Sequence, residues 1–182
     1  MYQAGDLQEI TVPETEPATE WILGEAVQKV SPKRRHALLQ AALVGVIRQW
    51  SRGRGDAGTE WRFRISPPGE RPRPLVPDIA YLSNERKTGL TGDDLEVPRV
   101  APDLVVEILS PDDRADRVAS KRETYLAAGT RLVIVVDPDT RTLHAYDAAG
   151  CATFVEPATF SSTVFPELEI DLAEIFREIS AV

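Results

Sequence analysis

The chain reads as a mixed α/β domain, and three patterns carry that reading. Helical periodicity runs over residues 32–50 and 113–128, near-continuous apolar runs stand at 104–109 and 132–136, and turn chemistry separates them. A length of 182 residues fits one domain with a full core. Apolar and charged fractions of 42% and 27% are those of globular chains, which excludes a collagen-like or mainly disordered protein. The single cysteine, Cys151, cannot form an internal disulfide, which fits a reducing compartment.

The elements follow in order. Residues 1–18 mix Glu, Thr and Pro with few apolar side chains and read as a flexible tail before a domain over 19–182. Residues 21–30 read as a strand pair, with Gly24 at the turn or a bulge. Ser31-Pro32 offers an N-cap and a first helical residue, and Leu39, Leu43, Val46 and Trp50 recur at helical spacing until Ser51-Arg52-Gly53. Residues 59–65 and 75–82 predict strands, separated by Ser66-Pro67-Pro68-Gly69, and 83–94 a loop with one helical turn.

Residues 104–109 and 132–136 predict strands covered on both faces, with a helix over 113–128 ending at Gly129 between them. Asp137-Pro138-Asp139-Thr140 turns the chain into a strand over 141–146, and 151–155 follows a turn at Gly150. Asp171 can cap a short last helix, with Glu174 at capping-box spacing and Ile175 and Phe176 docking inward.

The longest apolar stretch, 37–47, is interrupted by Gln40 and falls short of the roughly 20 residues that span a bilayer. The acidic N-terminus shows neither a basic nor an apolar segment of an export signal, so the expected address is the cytoplasm. A net charge of −8 argues against indiscriminate nucleic-acid binding. Its distribution is uneven: residues 29–73 carry eleven Lys and Arg against three acids, so this segment is +8 and the remainder −16. Such a block is either a solvated face or a surface for a polyanion.

The informative residues are acids on strands that otherwise read as core. Period-two geometry puts Glu107 with Val105 and Leu109, and Asp78 with Val76, Ala80 and Leu82. A buried carboxylate costs several kcal/mol unless a cation, a hydrogen-bond network or a proton compensates it. Each could pair with an arginine or sit where its strand leaves the sheet. On the following helix, Val118, Tyr125, Leu126 and Ala128 mark the apolar side, and both Lys121 and Arg122 fall inside or beside it. Periodicity does not choose between them, and either stem could snorkel. Two carboxylates and a lysine at one point can hold a divalent cation beside an activated water, the chemistry of phosphodiester hydrolysis.

Other polar residues have plainer readings. Asp137 and Asp139 are turn formers, Asp112, Asp113 and Asp116 suit a helix start, and Asp103 begins a strand about 13 Å from Glu107 at the usual rise. Ser110 has no base nearby in sequence, and two histidines, His36 and His144, are few for a histidine-rich zinc site.

The run Pro102-Asp103-Leu104-Val105-Val106-Glu107-Ile108-Leu109-Ser110-Pro111, with Val76-Pro77-Asp78 before it and Lys121, Tyr125, Gly129 and Val136-Asp137-Pro138 after it, resembles the Uma2 family of endonucleases. That family belongs to the PD-(D/E)XK restriction-endonuclease-like superfamily. The resemblance spans about residues 21–176: Gly24-Glu25 is similar to its early Gly-Glu, His36 to a histidine on the first helix, and Phe165-Pro166-Glu167-Leu168 to its closing segment.

The resemblance implies a restriction-endonuclease-like mixed sheet flanked by helices, with Asp78 and Glu107 as metal ligands for Mg²⁺ or Mn²⁺. The superfamily's lysine two residues after the glutamate is replaced here by Leu109, and the family's lysine from the next helix selects Lys121. Glu25 is implied as a further acid near the metal, and the superfamily adds the carbonyl of Ile108. The function expected is a metal-dependent endonuclease acting on DNA, with a homodimer as the simplest way to cut both strands. The alternative is a non-catalytic nucleic-acid-binding or assembly module that keeps the fold.

Overall fold

The computed structural model describes residues 7–180. Residues 1–6 of the expected tail lie outside it, and 7–18 form no helix or strand. This latter stretch lies along the body through Ile10 N donating to Pro72 O at 2.8 Å, Arg71 Nε donating to Gln8 O at 2.7 Å, and a Glu9–Arg99 ion pair at 3.2 Å.

The chain begins with the hairpin β1 (Thr19–Ile22) and β2 (Glu25–Gln28), turning through Leu23 and Gly24, both at positive φ. Helix α1 (Arg34–Trp50) follows. Its N-cap is Lys33, without a side-chain cap bond, so the expected Ser31 cap is corrected by two residues. Next come β3 (Gly55–Thr59), β4 (Phe63–Ile65), β5 (Arg73–Leu75) and β6 (Ile79–Ser83).

Two expected strands are therefore each divided. Glu60 takes φ 52°, which turns the chain between β3 and β4. Val76-Pro77-Asp78 separates β5 from β6, since proline cannot donate to a ladder. In place of one helical turn, α2 (Asn84–Lys87) and α3 (Asp93–Glu96) form. Ser83 caps the first of them, accepting from Arg86 N at 3.2 Å.

The remaining elements are β7 (Leu104–Ile108), α4 (Ala115–Ala127), β8 (Leu132–Asp137), β9 (Thr142–Asp147), β10 (Gly150–Val155), β11 (Thr159–Ser161), β12 (Glu169–Asp171) and α5 (Leu172–Ser180). The β11–β12 pair was not expected. Asp171 caps α5, accepting from Ala173 N at 2.9 Å and Glu174 N at 3.2 Å.

The central sheet runs β10-β9-β8-β7-β6-β3, parallel only between β7 and β8, which α4 connects as a crossover helix. Both faces are covered, which explains the continuous apolar runs. Leu104, Val106, Ile108, Leu132, Ile134 and Val136 pack on the layer of α1 and α5, with Leu39, Leu43, Ile47 and Phe176. Val105, Val133 and Val135 pack on the other layer, with Tyr125 from α4 and Ile22, Phe63 and Leu75 from the small strands. Glu107 belongs by alternation to this second face. Among the described residues no helix is long and apolar enough to cross a membrane.

Candidate active site

Sheet register brings the two acids together. Strands β6 and β7 are antiparallel with Ile79 opposite Val106. One step further, Asp78 falls opposite Glu107 on the same face, where directly opposed Cβ atoms are about 4.5–5.5 Å apart. Pro77 ends the ladder there and leaves Asp78 at the lip of the sheet. Its carboxylate accepts from Ile108 N at 2.7 Å, so the residue after Glu107 anchors Asp78. Asp78 and Lys121 are buried, and Glu107 is partly so.

Lys121 is the lysine that meets them, and the two positions left open by periodicity are now distinguished. Its Nζ lies 2.7 Å from Glu107 Oε1 and 2.9 Å from Glu20 Oε1. Arg122 instead stacks its guanidinium over Tyr146, 4.4 Å from the ring centroid. Lys121 Nζ is the one polar contact of Glu107 Oε1 among the described residues.

Glu20, Lys29, Glu60 and Gln40 were absent from the sequence reading, whereas His36 was named there by resemblance to the family's histidine on the first helix. Glu20 on β1 is 3% exposed and accepts from Val76 N at 2.7 Å, tying the first hairpin to the break before Asp78. Lys29, just past β2, donates to Asp78 Oδ1 at 2.9 Å, Glu60 Oε2 at 2.7 Å and Val76 O at 3.0 Å. His36 Nε2 stands 3.2 Å from Asp78 Oδ2, and Gln40 Nε2 donates to Asp78 O at 2.8 Å and to Glu60 Oε1 at 3.0 Å. Strand alternation signals only Glu20, which sits in a buried strand; Lys29 lies in a loop, where no pattern marks it.

Glu25 is not brought to this cluster. It lies exposed on β2 and pairs with Arg117 at 3.4 Å. Asp103 is buried, yet serves the fold: Oδ2 accepts from Ser83 N at 2.7 Å and Oδ1 pairs with Arg86 at 3.2 Å. Asp113 accepts from Ser110 N at 2.7 Å in the turn before α4, and Asp137 accepts from Asp139 N at 2.8 Å in the turn after β8. His144 pairs with Thr153 at 2.9 Å on the β9–β10 hairpin.

The electrostatics divide the two acids. Burial pushes the Asp78 carboxyl up, but the Lys29 ammonium and the His36 contact outweigh it and hold the group well below the usual carboxylate range. Glu107 goes the other way: burial, reinforced by the nearby Asp78 charge, outweighs Lys121 and pushes it up to about 8. Lys121 resists the lowering effect of burial because Glu107 and Glu20 flank it, and it is raised well above its ordinary value.

The cluster opens into a cavity of about 660 Å³, which Asp78, Glu107, Lys121, Lys29 and His36 line together. Among the described residues no three His, Cys, Asp or Glu side chains form a ready-made metal cage. Mg²⁺ needs none, because one or two carboxylates, water and a substrate phosphate complete its shell. The Glu107 carboxyl, whose Oε1 has Lys121 Nζ as its one polar contact, fits that donor set.

A twisted mixed sheet whose paired acids meet a lysine from the crossover helix is the architecture of a nuclease-like α/β domain. The chain belongs to the Uma2 family, whose profile, described as "Putative restriction endonuclease", matches residues 5–173. A solved structure described as a putative nuclease belonging to DUF820, from Anabaena variabilis, matches with a TM-score of 0.79 and 30% identity, over 92% of this chain and 94% of that one. No curated protein matches.

Proposed function

We propose that this protein is a divalent-metal-dependent nuclease that hydrolyses phosphodiester bonds in DNA. The observation that carries this reading is the opposition of Asp78 and Glu107 across β6 and β7, with Lys121 2.7 Å from Glu107, inside one cavity. Four carboxyl groups, Glu20, Glu60, Asp78 and Glu107, meet two ammonium groups, Lys29 and Lys121, and in the metal-free protein burial and the Asp78 charge hold a proton on Glu107 up to about pH 8. A hard divalent cation would take the place of that proton, with Asp78 and Glu107 as ligands and Mg²⁺ or Mn²⁺ as the candidates. Such an ion, when bound, lowers the pKa of a bound water and neutralises charge on the scissile phosphate.

Lys121 remains protonated, so its role is to donate hydrogen bonds to the attacking water or to a phosphate oxygen, not to remove a proton. Glu20 holds Lys121 from its far side, and Lys29 and His36 orient Asp78. Glu25 would act only at the rim, through Arg117. A cytoplasmic homodimer is the assembly we favour, since a C₂ pair is the simplest arrangement for cutting two antiparallel strands. Light scattering at micromolar concentration tests it, and a strict monomer removes it.

One observation favours the non-catalytic binding or assembly module: Lys29, His36 and the Ile108 amide already engage both Asp78 oxygens. Purified protein with Mg²⁺ or Mn²⁺ on duplex, single-stranded and branched DNA separates the two readings. The expected result is metal-dependent cleavage that Asp78→Asn and Glu107→Gln abolish, and that Lys121→Met lowers by about 10²-fold or more. Salt-dependent DNA binding by a folded protein without metal-dependent turnover would establish the second reading.

A further inference from the structure

Resting on that nuclease reading, we propose that the site takes a DNA strand that is unpaired where it is cut, and not an intact duplex. The reacting groups lie inside the protein surface: the side chains of Asp78, Lys121 and Glu107 are 5%, 9% and 12% exposed. A phosphorus attacked beside them must enter the cavity. At about 660 Å³ that cavity falls within the roughly 300–1,000 Å³ of small-ligand pockets, room for a nucleotide or two.

The walls suit an unstacked nucleotide. Val27 and Val30 from the first hairpin region, Pro111 from the loop before α4 and Val118 from its first turn offer aliphatic surface to a base or sugar. Val30 is 54% exposed, an apolar side chain at a lip with nothing on it. Around the mouth, Lys33 and Arg35 come from the start of α1, and Arg114 and Arg117 from the start of α4. Each is paired with an acid, Lys33 with Asp112, Arg35 with Asp139, Arg114 with Asp116 and Arg117 with Glu25, so phosphates on either side of a buried one would bind by exchanging these exposed partners.

Two exposed ion pairs lie in the cavity's lining. Lys33 meets Asp112 at 3.2 Å and Arg35 meets Asp139 at 2.9 Å, joining the start of α1 to the loop after β7 and the turn after β8. A duplex is a stiff cylinder that carries its phosphates on the outside. Bringing one of its nucleotides inside requires unpairing and unstacking, which costs a few kcal/mol and least where the strand is already single. Proteins that force such an opening commonly insert apolar wedges or stack the freed base on aromatic rings. Among the described residues lining this cavity there is no Phe, Tyr or Trp, and its one aromatic ring, His36, is held against Asp78 Oδ2 at 3.2 Å. The site therefore has room for an unpaired strand and no large aromatic side chain on which to stack a base pulled from a paired one.

The test compares Mn²⁺-dependent cleavage of one labelled sequence as a single strand, as a blunt duplex and as a duplex with a single-stranded flap. The expected outcome is that the single strand and the flap are cut at least about tenfold faster than the duplex interior, a difference of about 1.4 kcal/mol in barrier. Val30→Glu, exposed enough to fold, is expected to raise KM for the single strand by placing a carboxylate at the lip. Internal cleavage of the blunt duplex at the single-strand rate overturns the inference while leaving the nuclease reading intact. An unchanged KM in Val30→Glu overturns the proposed entry route. Absence of cleavage on all three substrates overturns the nuclease reading, and the inference falls with it.

Discussion

Lys29 Nζ lies 2.9 Å from Asp78 Oδ1, joining two side chains that are only 12% and 5% exposed and come from different layers of the fold. The pair is mostly desolvated, so removing one partner leaves an uncompensated buried charge, a loss of about 3–5 kcal/mol. Lys29→Met is expected to destabilise the protein by that order, softened by His36 and Ile108 N, which still serve Asp78. Lys29→Met/Asp78→Asn should recover part of the loss. Urea unfolding of the two single variants and the double variant measures the coupling, and strict additivity would refute it.

Glu20 and Glu25 lie five positions apart in sequence and have opposite surroundings. Glu20 is 3% exposed and braces Lys121, whereas Glu25 is exposed beside Arg117. Glu20→Gln is therefore expected to lower cleavage by about tenfold or more through a misplaced Lys121, and Glu25→Gln by less than about threefold. Steady-state rates at saturating Mn²⁺ check the order, and a larger effect at Glu25 would reverse the assignment.

Glu107 makes stability fall as pH rises. Its folded value of about 8 lies above the ordinary 4.5, so between them the folded state holds a proton that the unfolded state has released. The contribution is complete below about 4.5 and is lost as pH climbs through 8. His36, raised by its contact with Asp78 against the lowering effect of burial, adds in the same sense. In metal-free protein Tm should decline from pH 6 to pH 9, and Glu107→Gln should flatten that slope. An equal slope in the variant would exclude Glu107 as the source.

Asp103 offers a control among the buried acids. It anchors Ser83 N and pairs with Arg86, outside the cavity that holds Asp78. Asp103→Ala should cost about 3–5 kcal/mol in urea unfolding while metal-dependent cleavage per folded molecule stays unchanged. A loss of turnover with stability intact would move Asp103 into the site.

Sequence periodicity was enough for the two parallel core strands, the crossover helix and the placement of Glu107 on their second face. Each of these depends on local alternation or on a 3.6-residue repeat, which a linear pattern displays directly. Asp78 was also legible, as a charge beside Val76 and Ala80. Tertiary structure decided the rest. It divided the strands expected at 59–65 and 75–82, because Glu60 takes a positive φ and Pro77 cannot join a ladder. It placed Lys121 rather than Arg122 on the acids, since a difference of one residue on a helix is settled by what faces it. Lys29 and Gln40 reach Asp78 across 49 and 38 residues, and no spacing in the chain encodes such a meeting. Burial can be read from the residues on one strand, but the partners of a buried charge arrive from other layers and become defined only when those layers pack.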